Sequence, residues 1–238
     1  MTGVLDPPLT PASGVDAALR RDGQAVLSAA TLVELCGLEA SAFDGWLPYW
    51  DALPPDLHLR DGGRYRRRRH SCFVVEGDRV TLAPHRPHWQ PVEYNALHGG
   101  IERHFEPMPP AWIADPAWPR LLVGLARRAS ALRGAQPWFV EAHPFRIDTT
   151  DGIGRPTPEG AHRDGVDLVA VLLVARLNVK GGETRVFAAD GGDILIWSST
   201  GDIDAGRGAK TAISAPAPKI TIDRSTSPPA CPNTGVPG

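Results

Sequence analysis

A chain of 238 residues is long enough for one domain with a sizeable core, or for one domain and an appendage. Its 25 basic and 27 acidic residues leave a formal net charge of −2, which excludes a general electrostatic pull toward nucleic acid or an anionic membrane. Three cysteines, Cys36, Cys72 and Cys231, are odd in number and far apart, which argues against a disulfide framework and suits a reducing compartment.

Residues 1–14, MTGVLDPPLTPASG, are rich in Pro and Gly and are expected to be disordered; they lack the basic and apolar regions of a signal peptide. No apolar run reaches transmembrane length, so the expected location is cytoplasmic, with no membrane partner. Ala17 to Gly37, apolar at Leu19, Val26, Leu27, Leu32, Val33 and Leu35, predicts two short helices broken near Gly23. Residues 39–52 predict another, with Trp46 and Trp50 one turn apart as core or interface aromatics. From Arg64 the pattern becomes extended: RYRRRRHSCFVVEG and RVTLAP read as strands joined by a hairpin turn at Gly77–Asp78. The basic run Arg64 to His70 is either a solvated edge strand or an anion site, and charge runs favour the first.

Residues 84–110, dense in Pro, Gly and His, predict a long structured loop. Pro119 to Arg133 is the clearest helix, with a stripe of Leu121, Leu122, Leu125 and Leu132 and a stop at Gly134. Trp138 to Asp148 predicts a strand interrupted at Pro144, and Val166 to Val174 a fully apolar strand of the kind packed between two sheets. Gly181–Gly182 turns the chain into Glu183 to Phe187, where Glu183 is expected as a polar turn residue. From about Asp190, apolar runs at Ile194 to Trp197 and Ile220 to Ile222 alternate with Gly, Asp and Ser, predicting two or three short strands and a disordered end. Helices followed by short strands predict a mainly β fold with flanking helices (α+β), a β-sandwich or jelly roll.

The chemistry concentrates in PEGAHRDG, residues 158–165. Along a strand, residues i and i+2 share a face, so His162 and Asp164 present an imidazole and a carboxylate together. These are two of the three ligands of a non-haem Fe(II) facial triad. His162 is the last histidine of the chain, so no third histidine follows it. His85, His88, His98, His104 and His143 are the candidates for a replacement ligand. Four of them, His85, His88, His98 and His104, have a spacing compatible with zinc, but no cysteine pairs accompany them, and loop histidines near a site mouth are expected. Glu93 and Glu102 show no spacing that favours a hydrolytic carboxylate pair.

Six segments, RRDGQAVLS (20–28), YRRRRHSCF (65–73), PHRPHWQPVEYNALHGGIERHFEP (84–107), HPFRID (143–148), PEGAHRDGVD (158–167) and NVKGGETRVF (178–187), occur in one order. Through them residues 16–188 resemble the bacterial Fe(II)/2-oxoglutarate dioxygenases that hydroxylate free amino acids, isoleucine 4-hydroxylase and its biofilm-associated relatives. The resemblance implies a double-stranded β-helix (cupin-like jelly roll), Fe(II), 2-oxoglutarate as co-substrate, and a small-molecule substrate such as a free amino acid. It implies His162 and Asp164 as metal ligands and Arg146 as a cofactor-binding residue near the co-substrate or substrate. Tyr94, Asn95 and Arg103 would bind substrate from the loop that covers the site.

In this family a distal histidine and then an arginine for the far carboxylate of 2-oxoglutarate follow the Gly-Gly-Glu turn. Here neither stands in context; Arg207 and Arg224 have no preceding histidine. The segment GGDILIWSSTGDIDAGRGAKTAISAPAPKITID resembles instead a stretch of filamentous-haemagglutinin-type adhesins. The expected division is a disordered 1–14, a truncated dioxygenase-like domain 15–188, and an unrelated Gly/Pro/Ser-rich tail 189–238. Function is expected to be either an impaired hydroxylase or an inactive, truncated or chimeric oxygenase-fold protein that at most binds a small molecule. Loss of the last strands strips central strands of partners, so low stability is expected unless residues 193–197 and 219–223 pair in their place.

Overall fold

A computed structural model describes residues 9–59, 62–92, 99–149, 152, 154, 165–175, 185–187, 193–195, 213–214 and 219–224. Two glycines cut the first apolar stretch into helices. Helix α1 (Val15–Asp22) stops at Gly23, whose φ of 71° is left-handed and costs a glycine little. Helix α2 (Ala29–Cys36) starts at Ser28, whose hydroxyl accepts the Thr31 N–H at 3.0 Å. It ends at Gly37 (φ 61°), with the Leu38 N–H donating back to the Val33 carbonyl. Short helices α3 (Leu47–Asp51) and α4 (Pro110–Ile113) precede the long α5 (Ala117–Arg133). Helix α5 begins before the expected Pro119 because one Asp115 oxygen accepts the Ala117 N–H at 2.8 Å. The other Asp115 oxygen accepts the Trp46 indole N–H at 2.8 Å, tying the helix start to the aromatic cluster.

Among the described residues, ten strands follow the order β1 (Arg66–Arg68), β2 (Ser71–Glu76), β3 (Arg79–Leu82), β4 (Trp138–His143), β5 (Phe145–Asp148), β6 (Leu168–Val171), β7 (Arg185–Phe187), β8 (Asp193–Leu195), β9 (Ile213–Ser214) and β10 (Lys219–Arg224). All described pairings are antiparallel. They form a five-stranded sheet ordered β3-β2-β4-β10-β6, a three-stranded sheet ordered β1-β5-β9, and the pair β7-β8. The β2–β3 hairpin turns at Gly77–Asp78, with Glu76 opposite Arg79. Pro144 ends β4 and the chain resumes as β5 in the other sheet; Arg69–His70 makes the matching passage from β1 to β2. The two crossings touch, the Arg69 N–H donating to the Pro144 carbonyl at 3.0 Å.

Period-two alternation places Phe73 and Val75 of β2, Trp138, Val140 and Ala142 of β4, and Ile220 and Ile222 of β10 on one face of the large sheet. These residues pack with Trp46, Trp50, Trp112, Trp118, Leu121 and Leu122 in one buried cluster. The expected core role of Trp46 and Trp50 holds. Strand β6 departs from its expected burial between sheets: it is the edge of the five-stranded sheet, and Val169 and Val171 are exposed on its outer face.

The C-terminal segment supplies a central strand. Strand β10 lies between β4 and β6, with Ile222 opposite Val140 and Leu168, and both isoleucines are fully buried. Strand β8 pairs with β7. Of the two stretches on which stability was expected to depend, 219–223 pairs inside the main sheet, and 193–195 pairs with β7 alone among the described residues.

Helices α2 and α5 approach so closely that no side chain fits at Gly124; a Cβ there would lie 2.9 Å from the Cys36 Cα. Alanine normally favours a helix over glycine by about 1 kcal/mol. Gly124→Ala is expected to lower stability instead, by roughly 1–3 kcal/mol from overpacking against backbone. A thermal melt decides the sign, and a raised midpoint would show that the contact is not tight. Among the described residues no helix is long and apolar enough to cross a membrane.

Candidate functional site

The same alternation that sends Val140 and Ala142 into the core sends Glu141 and His143 to the opposite face. His70 joins them from the crossing between β1 and β2, fully buried. His88 comes from the long loop, where it forms a two-way backbone bridge with Arg103 at 2.9 and 3.0 Å. The ligand atoms of His70, His88, Glu141 and His143 all lie within 4.8 Å of one another. Glu141 is the hub. Its Oε2 is 3.2 Å from His88 Nδ1 and 3.7 Å from His143 Nε2, and its Oε1 is 3.6 Å from His70 Nε2. The rings themselves pack, His143 stacking on His70 at 4.7 Å and meeting His88 edge-on at 4.6 Å.

Electrostatics prepares these groups as neutral imidazoles around an anion. Burial pushes His88 down to about 4, against the pull of Glu141, and pushes His143 well below the ordinary imidazole range. Burial opposes the charge on Glu141, but hydrogen bonding to His143, His70 and His88 outweighs it and holds the carboxyl well below its usual value. Cys72, with Sγ 3.4 Å from His70 Nε2, is pushed up to about 12 by burial and the Glu141 charge, and so stays a thiol.

Neutral imidazoles and an ionised carboxylate are what a divalent ion requires, and His70 Nδ1 is buried without a hydrogen-bond partner. His143 is different. Arg68 Nη2 lies 2.7 Å from its Nδ1. A guanidinium only donates, so Nδ1 accepts, and the single proton of the neutral ring sits on Nε2, facing Glu141. His70, His88 and Glu141 therefore present the two-histidine, one-carboxylate set of a non-haem iron site, with His143 as a hydrogen-bonded neighbour. The donor chemistry fits Fe(II).

His162, Asp164, Tyr94 and Asn95 lie outside the described residues, as does His98. Arg146 stands on β5 with its charge matched, 3.1 Å from Asp51 and 3.2 Å from Asp148. Arg103 is buried beside the cluster, donating to Gln90 at 2.8 Å. His85 is within 2.9 Å of the Phe105 carbonyl, and His104 is exposed. Of the candidate replacement ligands, the structure brings His88 and His143 together.

The sequence reading missed His70 and Glu141. A signal existed: Glu141–His143 repeats the i, i+2 acid–imidazole spacing of His162–Asp164. The solvated reading of the basic run is corrected here as well. Strand β1 is an edge strand, yet Arg66, Arg68 and His70 are all buried, while Arg67 and Arg69 are half-buried. Alternation along the run separates an inner face from an outer one, and Arg66 is neutralised by Asp56 at 2.7 Å.

Comparison with known proteins adds identity to this geometry. The family model described as 2OG-Fe dioxygenase matches residues 47–206, and that of filamentous haemagglutinin family outer membrane proteins matches residues 191–236. A crystal structure of a bsmA homologue from Methylobium petroleophilum PM1 is 41% identical, covers 94% of this chain and 98% of its own, and superposes with a TM-score of 0.83. The structure of IDO from Bacillus thuringiensis is 13% identical over 81% of this chain and 92% of its own, with a TM-score of 0.61. That of the Fe(II)/α-ketoglutarate-dependent dioxygenase TqaL is 15% identical over 80% and 78%, with a TM-score of 0.51. At those identities the last two speak for the fold alone. No curated protein matches the chain.

Proposed function

Because the chain belongs to the 2OG-Fe dioxygenase family, we infer that it is an oxygenase that hydroxylates a small molecule such as a free amino acid. Membership implies Fe(II) and 2-oxoglutarate, and His70, His88, Glu141 and His143 form a candidate metal site. The observation that carries this reading is the continuous family match over 47–206, which takes in His162 and Asp164 together with the buried cluster. Bound Fe(II) supplies dioxygen activation coupled to decarboxylation of 2-oxoglutarate.

His162 and Asp164 are the proposed ligands by resemblance; His70, His88 and Glu141 are the second donor set. Arg146 is proposed to orient a carboxylate of co-substrate or substrate, and would exchange Asp51 for it. Tyr94, Asn95 and Arg103 are proposed to hold substrate, Arg103 from a loop that buries His88 and shields it from water. In this reading the two sheets are the halves of a double-stranded β-helix. The crossings at Arg69–His70 and Pro144, each carrying the chain from one sheet to the other, support that arrangement. The boundary near residue 189 is then one of sequence origin, since β10 from the tail is hydrogen-bonded inside the sheet.

A specific observation favours a second reading, a catalytically inactive oxygenase-fold protein that binds small molecules at most. His162 is the last histidine, and the strand between β4 and β6 comes from the stretch that matches another family. Anaerobic Fe(II) titration with 2-oxoglutarate separates the two. A weak visible charge-transfer band is expected from the chelated metal. Its loss in His162→Ala, with retention in Glu141→Gln, assigns iron to the His-x-Asp pair; the reverse assigns it to the buried cluster. No band at millimolar metal establishes the inactive reading.

A further inference from the structure

We propose that Cys72 completes a zinc site with His70, His88 and Glu141, apart from the iron centre, and that the ion fastens the long loop to the main sheet. The proposal rests on the reading of the buried cluster as a donor set separate from His162 and Asp164.

Strand register brings the thiol to the cluster. Cys72 of β2 stands opposite Glu141 of β4, and alternation turns both away from the core face that holds Phe73 and Val140. Its Sγ lies 3.4 Å from His70 Nε2 and 4.0 Å from Glu141 Oε1, and those two atoms are 3.6 Å apart. Bonds of about 2.0–2.3 Å at tetrahedral angles set neighbouring donor atoms roughly 3.3–3.8 Å apart. Two of the three separations fall in that span and the third lies just beyond it. A well-formed N–H···O bond is shorter, roughly 2.7–3.2 Å, so the His70–Glu141 gap suits two ligands of one ion better than a direct pair. The ligand atom of His88 lies within 4.8 Å of those of His70 and Glu141. His143 stays outside, because its lone pair faces Arg68. Its other nitrogen faces Glu141 Oε2 at 3.7 Å, where it helps to orient a ligating carboxylate.

The donor set selects the metal. Thiolate, carboxylate and two imidazoles make a closed four-donor set that suits zinc, whereas an oxygenase iron takes two imidazoles and a carboxylate with open positions. One thiolate and one carboxylate balance the divalent charge. As the ion binds, the Cys72 thiol releases its proton to solvent, since a coordinating thiol is deprotonated outright. Arg86, stacked over Phe139 and 3.5 Å from Glu141 Oε1, also acts on Cys72 and favours the thiolate. His88 gives the ion its structural consequence. It belongs to the loop that bridges back to Arg103, so an ion shared by His88, Cys72 and Glu141 joins that loop to β2 and β4.

Anaerobic cobalt(II) titration of the full-length, metal-stripped protein, without 2-oxoglutarate, reads the thiolate directly. A near-ultraviolet thiolate-to-cobalt charge-transfer band is expected beside the visible bands of tetrahedral cobalt, and stoichiometric zinc should bleach them all. Cys72→Ser, a change of one atom, is expected to lose the charge-transfer band, while Cys36→Ser, Cys231→Ser and His162→Ala keep it. Should Cys72→Ser fail to fold, the wild-type band still decides, because the other two substitutions exclude the remaining thiols of the chain. Zinc is also expected to slow amide exchange at His88 and Arg103, the two ends of the loop bridge, by about tenfold or more. Visible cobalt bands that Glu141→Gln abolishes, with no charge-transfer band in the wild type, overturn the proposal and leave the cluster a metal site. Cobalt spectra untouched by Glu141→Gln overturn both the proposal and the reading beneath it. Unchanged exchange at His88 on zinc binding overturns the fastening of the loop.

Discussion

Removal of the chain after Pro218 is expected to abolish cooperative unfolding. Strand β10 is hydrogen-bonded on both sides, to β4 from Lys219 to Arg224 and to β6 from Lys219 to Ile222. Without it β4 gains an unpaired edge and β6 is cut from the sheet. Ile220 and Ile222 are fully buried in the core cluster. Each buried isoleucine contributes about 1.5–3 kcal/mol, so the two side chains alone supply an amount comparable to the lower end of whole-domain stability, about 5 kcal/mol. The single change Ile222→Asp places a carboxylate opposite Val140 and should cost more than about 4 kcal/mol. Urea unfolding followed by tryptophan fluorescence suits the measurement, because five buried tryptophans share that core. A truncated chain with a wild-type midpoint would mean that the tail strand does not occupy the sheet.

Loss of the Asp56 carboxylate is expected to be nearly as severe. Its side chain is wholly buried and accepts from Arg66 Nε at 2.7 Å and from the His58 N–H at 2.9 Å. Asp56→Asn removes the carboxylate that faces the buried Arg66 at 2.7 Å, and breaking such a pair typically costs about 3–5 kcal/mol. Replacing both partners by apolar residues, Asp56→Leu with Arg66→Met, should recover much of that loss, because both charges of the buried pair are removed together. A double variant no better than Asp56→Asn would show that the pair is not what stabilises this corner. The pH dependence has a definite sign. Burial pushes the Asp56 carboxyl up, but Arg66, Arg68 and the His58 N–H outweigh it and hold it below its ordinary 3.8. The unfolded chain therefore takes up the proton first on acidification. This contribution is fully present above pH 3.8 and is lost as pH falls through the lower folded value. In Asp56→Asn that part of the acid transition should disappear.

Local sterics made much of the secondary structure legible. Gly23 and Gly37 end helices because they accept left-handed backbone, and Gly77–Asp78 reverses a hairpin for a related reason. Pro144 breaks a strand because proline has no N–H for the ladder. The oxygenase family was legible too, since its motifs are contiguous in sequence and recur in one order. Less legible was the direction of the basic run. Four successive arginines look like a solvated surface, whereas the partner at Asp56, the His143 ring nitrogen and the ring of Phe105 make an inward Arg66 and Arg68 tolerable.

The buried cluster lay further from reach. His70, His88, Glu141 and His143 come from three separate segments, and apart from the i, i+2 pair Glu141–His143 no spacing along the chain relates them. They meet because β2 and β4 are paired in a register that sets Cys72 opposite Glu141, and because the Arg103 bridge folds the loop over His88. By itself the sequence determined the turns, the helix ends, the α+β composition and the family, all of which rest on neighbouring residues. Only the tertiary structure decided that three histidines surround one carboxylate and that a strand from the divergent tail fills the centre of the sheet. Those outcomes depend on pairings between distant segments, whose free energy is shared across the whole core and is written in no single stretch of chain.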